Sequence, residues 1–138
     1  MPESQLLVVC ESSSLDRFSN SWSLFQLFDR ATVKRGDASE AEPPPVAVMQ
    51  IHVFWFFKPD EAGAQFEFRL VFVRPDCEFI LPRIFEMTGE DGVGRYRIRG
   101  FPISFTGRGR LMVEWRVKGS DSWTRSSIFW PLEIVEES

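Results

Sequence analysis

A stretch of alternating large apolar and polar residues in the middle of the chain limits the possible folds most strongly. In residues 65–73 (QFEFRLVFV), the even positions carry Phe, Phe, Leu and Phe, whereas the first three odd positions carry Gln, Glu and Arg. Successive side chains of a strand point to opposite faces, so this pattern predicts a half-buried strand with one aromatic face. Residues 49–57 (MQIHVFWFF) alternate in a similar way and predict a second strand.

The connection between these two runs has the composition of a turn. Residues 58–63 read KPDEAG, in which the proline fixes φ and the glycine tolerates a positive φ. We therefore interpret residues 46–74 as one long hairpin. Five of its side chains are expected on the face that points away from the core: His52, Phe54, Phe56, Val71 and Val73. Unless its own chain covers it, this face is an apolar patch too large for a monomer to expose, and it predicts a partner-binding surface.

The rest of the chain also has the pattern of a β protein. Short apolar runs are separated by turn sequences about every ten residues, and none of them shows a sustained helical period. This predicts an all-β fold, namely an antiparallel β-sandwich of about eight to nine strands, with a β-barrel as the alternative. We expect one domain over residues 1–138, because too little chain precedes the acidic, proline-rich residues 35–45 for a separate core. Five aromatic side chains are predicted to share the core: Trp55, Phe66, Phe68, Phe72 and Trp115.

The basic residues are concentrated late in the chain. Residues 95–125 hold eight Lys or Arg and two acidic residues, a net charge of +6, although the whole chain carries −4. Five of these basic side chains are expected on the polar faces of two strands: Arg95, Arg97, Arg99, Arg116 and Lys118. If the two strands are neighbours, their common basic face predicts binding of an anionic ligand or a nucleic acid. The competing interpretation is a solvated sheet face, because the aromatic residues that would stack on bases are expected on the core side.

The chain offers few residues for catalysis or metal binding. A nucleophilic site would need Cys10 or Cys77 beside His52 with an orienting carboxylate, whereas a buried cysteine and a strand histidine are the simpler interpretation. These three residues are also too few for a zinc site. Five loop aspartates are the candidates for a calcium site: Asp16, Asp60, Asp76, Asp91 and Asp121. Isolated aspartates in turns are far more common, so we expect no catalytic residue, no metal site and no cofactor.

The sequence also predicts a compartment. No run of about 18 apolar residues is present, so no transmembrane helix and no membrane partner are expected. The N-terminal residues MPESQLLVVCESS lack the basic segment and the long apolar run of a secretion signal. We therefore expect a cytoplasmic protein whose two cysteines are reduced.

Several short motifs follow one another along the chain in a characteristic order. They are VCE at 9–11, NSWSLFQLFD at 20–29, FVRPD at 72–76, FPISF at 101–105 and LMVEW at 111–115. This order resembles a group of small bacterial and prophage-encoded β-sandwich domains of unknown function. The resemblance implies an all-β fold and a bacterial or phage origin, and it supplies no activity, so no catalytic residue can be carried over.

These observations favour a non-enzymatic interaction or accessory module that acts through protein–protein contacts. The partner is either another protein or a second copy of the chain, and a symmetric dimer would use the patch around Phe54 and Phe56 twice. The alternative function is binding of an anionic ligand or a nucleic acid through the basic strand face of residues 95–118, which we regard as less favoured.

Overall fold

The fold consists of two β-sheets that pack face to face. The computed structural model describes residues 2–16, 21–27, 29–34, 49–100 and 105–137. The strands in these ranges are β1 (Glu3–Asp16), β2 (Ser21–Leu27), β3 (Arg30–Lys34), β4 (Gln50–Phe57), β5 (Gln65–Val73), β6 (Glu78–Thr88), β7 (Gly92–Arg99), β8 (Gly107–Val117) and β9 (Thr124–Glu137). A single 3-10 turn at Pro59–Glu61 is the one helical element in the described ranges. The prediction of an all-β sandwich is confirmed.

The strands are divided between a four-stranded and a five-stranded sheet. Sheet A has the order β2-β1-β4-β7, and sheet B has the order β3-β9-β8-β5-β6. The described neighbours pair antiparallel except β3 and β9, which run parallel. β3 is not predictable from the sequence pattern, because its five residues, RATVK, are too few to show a clear alternation.

The predicted hairpin of residues 46–74 is wrong. β4 belongs to sheet A and β5 belongs to sheet B, so the connection through Pro59–Glu61 passes from one sheet to the other. β4 pairs with β1 and β7, whereas β5 pairs with β6 and β8. Both strands turn an aromatic face towards the same core. Alternation identifies that face, but it does not distinguish two strands that pair from two strands that face each other across a sandwich.

The core lies between the sheets and is rich in aromatic side chains. All five aromatic residues predicted for it are buried in one contiguous cluster, so that prediction is confirmed. Phe68 of β5 occupies a central position. Its ring centroid lies 5.6 Å from that of Trp55 and 5.4 Å from that of Tyr96, both in sheet A. The Phe85 ring of sheet B lies 5.0 Å away.

Two further segments contain residue types that are uncommon inside strands. Ser12, Ser13 and Ser14 have the composition of a turn but belong to β1, where they pair with β2. β6 continues through Pro82 with a shift in its register against β5. A proline is tolerated there because β6 is the last described strand of sheet B and needs hydrogen bonds on one side only. The predicted loop of residues 35–45 lies outside the described residues.

Candidate interaction surface

The outer face of sheet A brings together residues from both surfaces that the sequence predicted. The register between β4 and β7 places His52 opposite Arg97 and Phe54 opposite Arg95. Directly opposite residues in an antiparallel pair project from the same face of the sheet, so the arginines lie beside the aromatic side chains of β4. Val8, Cys10 and His52 project from the same side but are buried. We call the apolar and arginine residues of this side that keep exposed surface the A face: Leu6, Phe54, Phe56, Val93, Arg95, Arg97 and Arg99.

One end of the A face is apolar. Phe56 is 39 % exposed, Leu6 is 40 % exposed and Val93 is 47 % exposed. Phe54 is partly buried between them, and the guanidinium of Arg95 lies 5.8 Å from its ring centroid. An arginine at this distance from an aromatic ring is attracted to the ring face. The apolar end therefore merges with the positively charged part of the face.

The other end of the A face is held by a chain of polar contacts. The hydroxyl of Ser13 donates a hydrogen bond of 2.6 Å to Gln50 Oε1. Arg97 Nη1 donates to Ser13 Oγ over 3.4 Å, and His52 Nε2 lies 3.3 Å from Gln50 Oε1. These contacts connect β1, β4 and β7 side by side, with the Arg97 side chain reaching Ser13 across the face.

His52 offers almost no surface to a partner. The residue is only 1 % exposed, although the sequence analysis placed it in the outward patch. Burial lowers the pKa of His52, and the positive charge of Arg97 lowers this pKa further. Both effects disfavour the imidazolium form. The neutral ring therefore belongs to the support of the A face and not to its contact surface.

The lowered pKa of His52 leads to a testable pH dependence. We expect the free energy of unfolding to decrease as the pH falls below about 6.5, the ordinary pKa of histidine. In that range the unfolded chain binds a proton that the folded chain resists, so acidification favours unfolding until the lowered pKa of the folded state is reached. One proton sets an upper limit of about 1.4 kcal/mol per pH unit.

The free energy of unfolding is measured by urea titration of the wild type and of His52→Gln at several pH values. The series runs from about pH 7.5 to about pH 5, which spans the ordinary pKa of histidine. Glutamine keeps a polar side chain but does not titrate, so the difference between the two proteins isolates this residue. The wild type should lose more stability than the variant on acidification. Identical pH profiles for both proteins would contradict the prediction.

Val71 and Val73 do not join Phe54 and Phe56 in one patch. They lie on the outer face of sheet B, on the opposite side of the molecule from the outer face of sheet A. Val71 is fully buried there, between Ile80 of β6 and Met112 of β8 in the register. The five-residue patch is therefore wrong as a single surface, because its two strands belong to different sheets.

The predicted basic face is divided for the same reason. Arg95, Arg97 and Arg99 lie on β7 in sheet A, whereas Arg116 and Lys118 come from β8 and the turn that follows it in sheet B. The sheet B cations pair with carboxylates. Arg116 Nε lies 3.1 Å from Glu67 Oε1, and Lys118 Nζ lies 3.1 Å from Glu86 Oε1. The register of β7 sets its three arginines opposite Gln50, His52 and Phe54 of β4.

The outer face of sheet B also carries a cluster of charged side chains around Glu114. Glu114 is nearly buried, and its two carboxylate oxygens accept hydrogen bonds from Arg69 at 2.9 Å and from Arg125 at 3.2 Å. Arg125 also forms a bidentate pair with Glu78 at 2.9 and 2.8 Å, and this pairing raises the pKa of Arg125. These partners come from strands β5, β6, β8 and β9, so their proximity depends on a strand order that the sequence alone does not reveal.

Leu6 and Val93 were also missed as members of the A face. Leu6 lies within the apolar run of β1, where no alternation separates outward from inward residues. Val93 lies within the glycine-rich residues 89–94 (GEDGVG), whose composition is that of a turn. The detectable signal was the alternation of β7 itself, since Val93 has the same parity as the three arginines.

Of the three residues considered for catalysis, Cys10 and His52 belong to one sheet and Cys77 lies beside the other. Cys10 and His52 lie on neighbouring strands, with Cys10 opposite Gln50 and Val8 opposite His52. Burial raises the pKa of the Cys10 thiol, which disfavours the nucleophilic thiolate. Cys77 lies beside Arg74 in the segment before β6 of the other sheet, with its Sγ 3.1 Å from Arg74 Nη2.

Neither a metal cluster nor a membrane-spanning helix is found in the described ranges. Among these residues, no three His, Cys, Asp or Glu side chains come close enough to hold a metal ion together, so the loop aspartates form no such site there. In the same ranges, no helix has the length and apolar character needed to cross a membrane. No protein-family model matches the chain, and no curated protein matches it with significant similarity. The resemblance to small bacterial and prophage-encoded domains therefore stays a hypothesis.

Proposed function

We propose that this protein is a non-enzymatic interaction module that binds a protein partner through the A face. The observation that carries this proposal is the combination of exposed apolar side chains and three arginines on one outward face. Aromatic residues and arginine are the residue types that dominate protein–protein binding energy, especially where both occur near the centre of a patch.

The charge of the A face favours a partner with an acidic surface. Arg95, Arg97 and Arg99 follow one another along a single strand face, and Glu3 of β1 lies opposite Phe56 at the far end. Complementary charge accelerates association and excludes partners of like charge. A symmetric homodimer through this face would bring two sets of arginines towards each other. We therefore favour a different protein, with acidic residues around an apolar centre, over a second copy.

Charge reversal on the A face provides the test. We expect Phe56→Glu and Arg99→Glu each to weaken partner binding by about tenfold or more, because each puts a negative charge on a face that is proposed to meet an acidic partner with an apolar centre. Immobilised wild type and variants would capture the partner from an extract of the source cells, and quantitative mass spectrometry would compare the retained proteins. Light scattering of the wild type over a concentration series would detect self-association directly.

Matched controls lie on the opposite side of the molecule. Arg108→Glu changes a side chain that is 85 % exposed on sheet B, and Phe129→Glu changes an exposed aromatic residue of the same sheet. Circular dichroism would verify that all four variants are folded. A partner whose capture depends on the two control positions, and not on Phe56 and Arg99, would contradict the proposed surface.

A second candidate function is binding of a nucleic acid or another anionic ligand. It is supported by the position of Phe54 and Phe56 on the same face as the arginines, since the sequence predicted these two sets of residues as separate surfaces. Proteins that bind single strands combine a basic groove with exposed aromatic side chains on which bases stack. Treating the extract with nuclease before capture separates the two functions. Retention that disappears after this treatment, and that depends on Phe56, favours the second.

A further inference from the structure

We propose that two copies of this chain associate through the outer faces of their B sheets, around a two-fold axis that runs parallel to the strands between β5 and β8. The inference goes beyond the proposed function, because it concerns the sheet on the other side of the molecule from the A face. In such a dimer the two A faces point away from each other, so one dimer presents two binding surfaces to a partner that carries repeated sites.

The outer face of sheet B has a row of apolar side chains that crosses four strands. The register sets Val71 of β5 opposite Ile80 of β6 on one side and opposite Met112 of β8 on the other. Met112 in turn lies opposite Phe129 of β9. Ile80 and Phe129, at the two ends of the row, are exposed, and so is Ile84 of β6. All four strands lie entirely within the described residues, so this face is known without gaps.

Two rows of charged side chains lie beside the apolar row. In the first, Glu67 of β5 lies opposite Arg116 of β8. In the second, Arg69 of β5 lies opposite Glu114 of β8. The β5 and β8 members of each row therefore have opposite signs. A face with both signs interspersed is complementary to a surface that has the same pattern in reverse, and not to a surface of one sign.

A two-fold axis between β5 and β8 supplies that reversed pattern. The rotation exchanges the two strands, so each β5 residue faces the β8 residue of the second copy that it pairs with in its own chain. Glu67 then faces Arg116 of the second copy, and Arg69 faces Glu114 of the second copy. The same operation exchanges β6 and β9. Opposite charges meet in both charged rows, and no row sets like charges against each other.

The shape and the size of the face also permit this contact. A twisted sheet is saddle-shaped, and a two-fold rotation about an axis along its central strands maps the saddle onto itself, so two copies fit closely with their strands aligned. Four strands about 4.8 Å apart and about 30 Å long give a flat area of about 600 Å² per copy. Side chains that project from the sheet increase the accessible area beyond this value. A standard interface buries about 800 Å² per partner, so the face is close to the size that a specific dimer needs.

We expect the dimer to be weak. The charged rows already pair within each chain, Arg116 with Glu67 at 3.1 Å and Arg69 with Glu114 at 2.9 Å, so association adds contacts to charges that are already satisfied. Partly exposed ion pairs contribute little free energy. The apolar row therefore supplies most of the affinity, and we expect a dissociation constant of about 10 μM or weaker. At the lower concentrations used for unfolding experiments the chain is then a monomer.

Sedimentation velocity of the full chain from about 1 μM to about 500 μM tests the inference, because this range brackets the expected dissociation constant. We expect the wild type to change from monomer to dimer within it. Ile80→Arg and Phe129→Glu each set a charge against an apolar side chain, and the symmetry repeats that contact twice. Each variant should therefore self-associate about a hundredfold more weakly or not at all. Circular dichroism would verify that both are folded, as their exposed positions lead us to expect.

An equimolar mixture of these two variants gives a sharper readout. In the proposed arrangement Ile80 faces Phe129 of the second copy. A mixed dimer then sets the introduced arginine against the introduced glutamate, and its other contact keeps Ile80 against Phe129. We expect the mixture to dimerise at least about tenfold more tightly than either variant alone. A two-fold axis that set β6 against β6 would not give this recovery.

The outcomes separate this inference from the proposed function. A wild type that stays monomeric, a dimer that survives both variants, or a mixture without recovery would overturn the arrangement. Phe56→Glu is the matched control on the A face and should dimerise like the wild type; loss of the dimer in this variant alone would also overturn it. Ile80→Arg and Phe129→Glu leave the A face intact and should still capture the partner. If capture is indifferent to Phe56→Glu and Arg99→Glu, the proposed function fails, whatever the oligomeric state.

Discussion

Replacing Phe68 with alanine is expected to lower the free energy of unfolding by about 3–5 kcal/mol. Phe68 has no exposed surface, and its ring packs on Trp55 and Tyr96 of one sheet and on Phe85 of the other. Its removal leaves a cavity between two sheets that are each held in place by their own hydrogen bonds, so the cavity closes only in part. Single domains have a total stability of about 5–15 kcal/mol, which makes this a large share.

Urea unfolding followed by tryptophan fluorescence measures the effect. Phe129→Ala is the matched control, because it removes the same ring from an exposed position on the outer face of sheet B. Phe68→Leu retains much of the buried volume and provides an intermediate variant if Phe68→Ala does not fold. A Phe68→Ala protein that is as stable as Phe129→Ala would show that the ring does not connect the two sheets.

Removal of the Glu114 side chain has the second largest expected effect. Glu114→Ala leaves the Arg69 and Arg125 guanidinium groups close together without the carboxylate that both bind. Breaking a buried ion pair by deleting one partner typically costs about 3–5 kcal/mol. Arg125 keeps 34 % of its side chain exposed, so water compensates part of the loss. We therefore expect a decrease of about 2–3 kcal/mol in the free energy of unfolding.

Glu114→Gln removes the negative charge of the side chain but keeps nearly the same side-chain shape. The amide oxygen still accepts a hydrogen bond from Arg69, so this variant should be more stable than Glu114→Ala. Arg108→Ala is the control for an exposed ion pair, since Arg108 pairs with Glu133 at 2.9 Å in solvent and should contribute little. The same urea measurements apply. Equal stabilities for Glu114→Ala and Arg108→Ala would refute a special role for the buried carboxylate.

The sequence was sufficient to predict the fold class and the core. The positions of Phe66, Phe68 and Phe72 follow a period of two, and this period alone determines that they share one face of a strand. The partners of each strand were not predictable in the same way. A strand that faces β5 across the core has the same inward pattern as a strand that pairs with it, so β4 was assigned to the wrong neighbour.

The candidate surface was also predictable only in part. Phe54, Phe56 and the three arginines of β7 were each identified as outward residues, but their common location depended on the pairing of β4 with β7. Val71 was assigned to the partner-binding patch and Lys118 to the basic face, but Val71 lies on β5 and Lys118 directly follows β8, both strands of sheet B. The burial of His52 was also missed. Whether an outward side chain is covered depends on distant parts of the chain, and local alternation contains no information about them.

The position of β4 between β1 and β7 has a consequence for the order in which the protein assembles. Neither neighbour is adjacent in sequence, since β2 and β3 separate β4 from β1, and β5 and β6 separate it from β7. Contacts between distant segments form slowly, and they require most of the chain to be present. During synthesis, β4 emerges well before β7, so one edge of the strand that carries Phe54 and Phe56 stays open until residues 92–99 have left the ribosome. We therefore expect the nascent chain to aggregate mainly in that interval, when an unpaired edge and exposed aromatic side chains occur on the same strand.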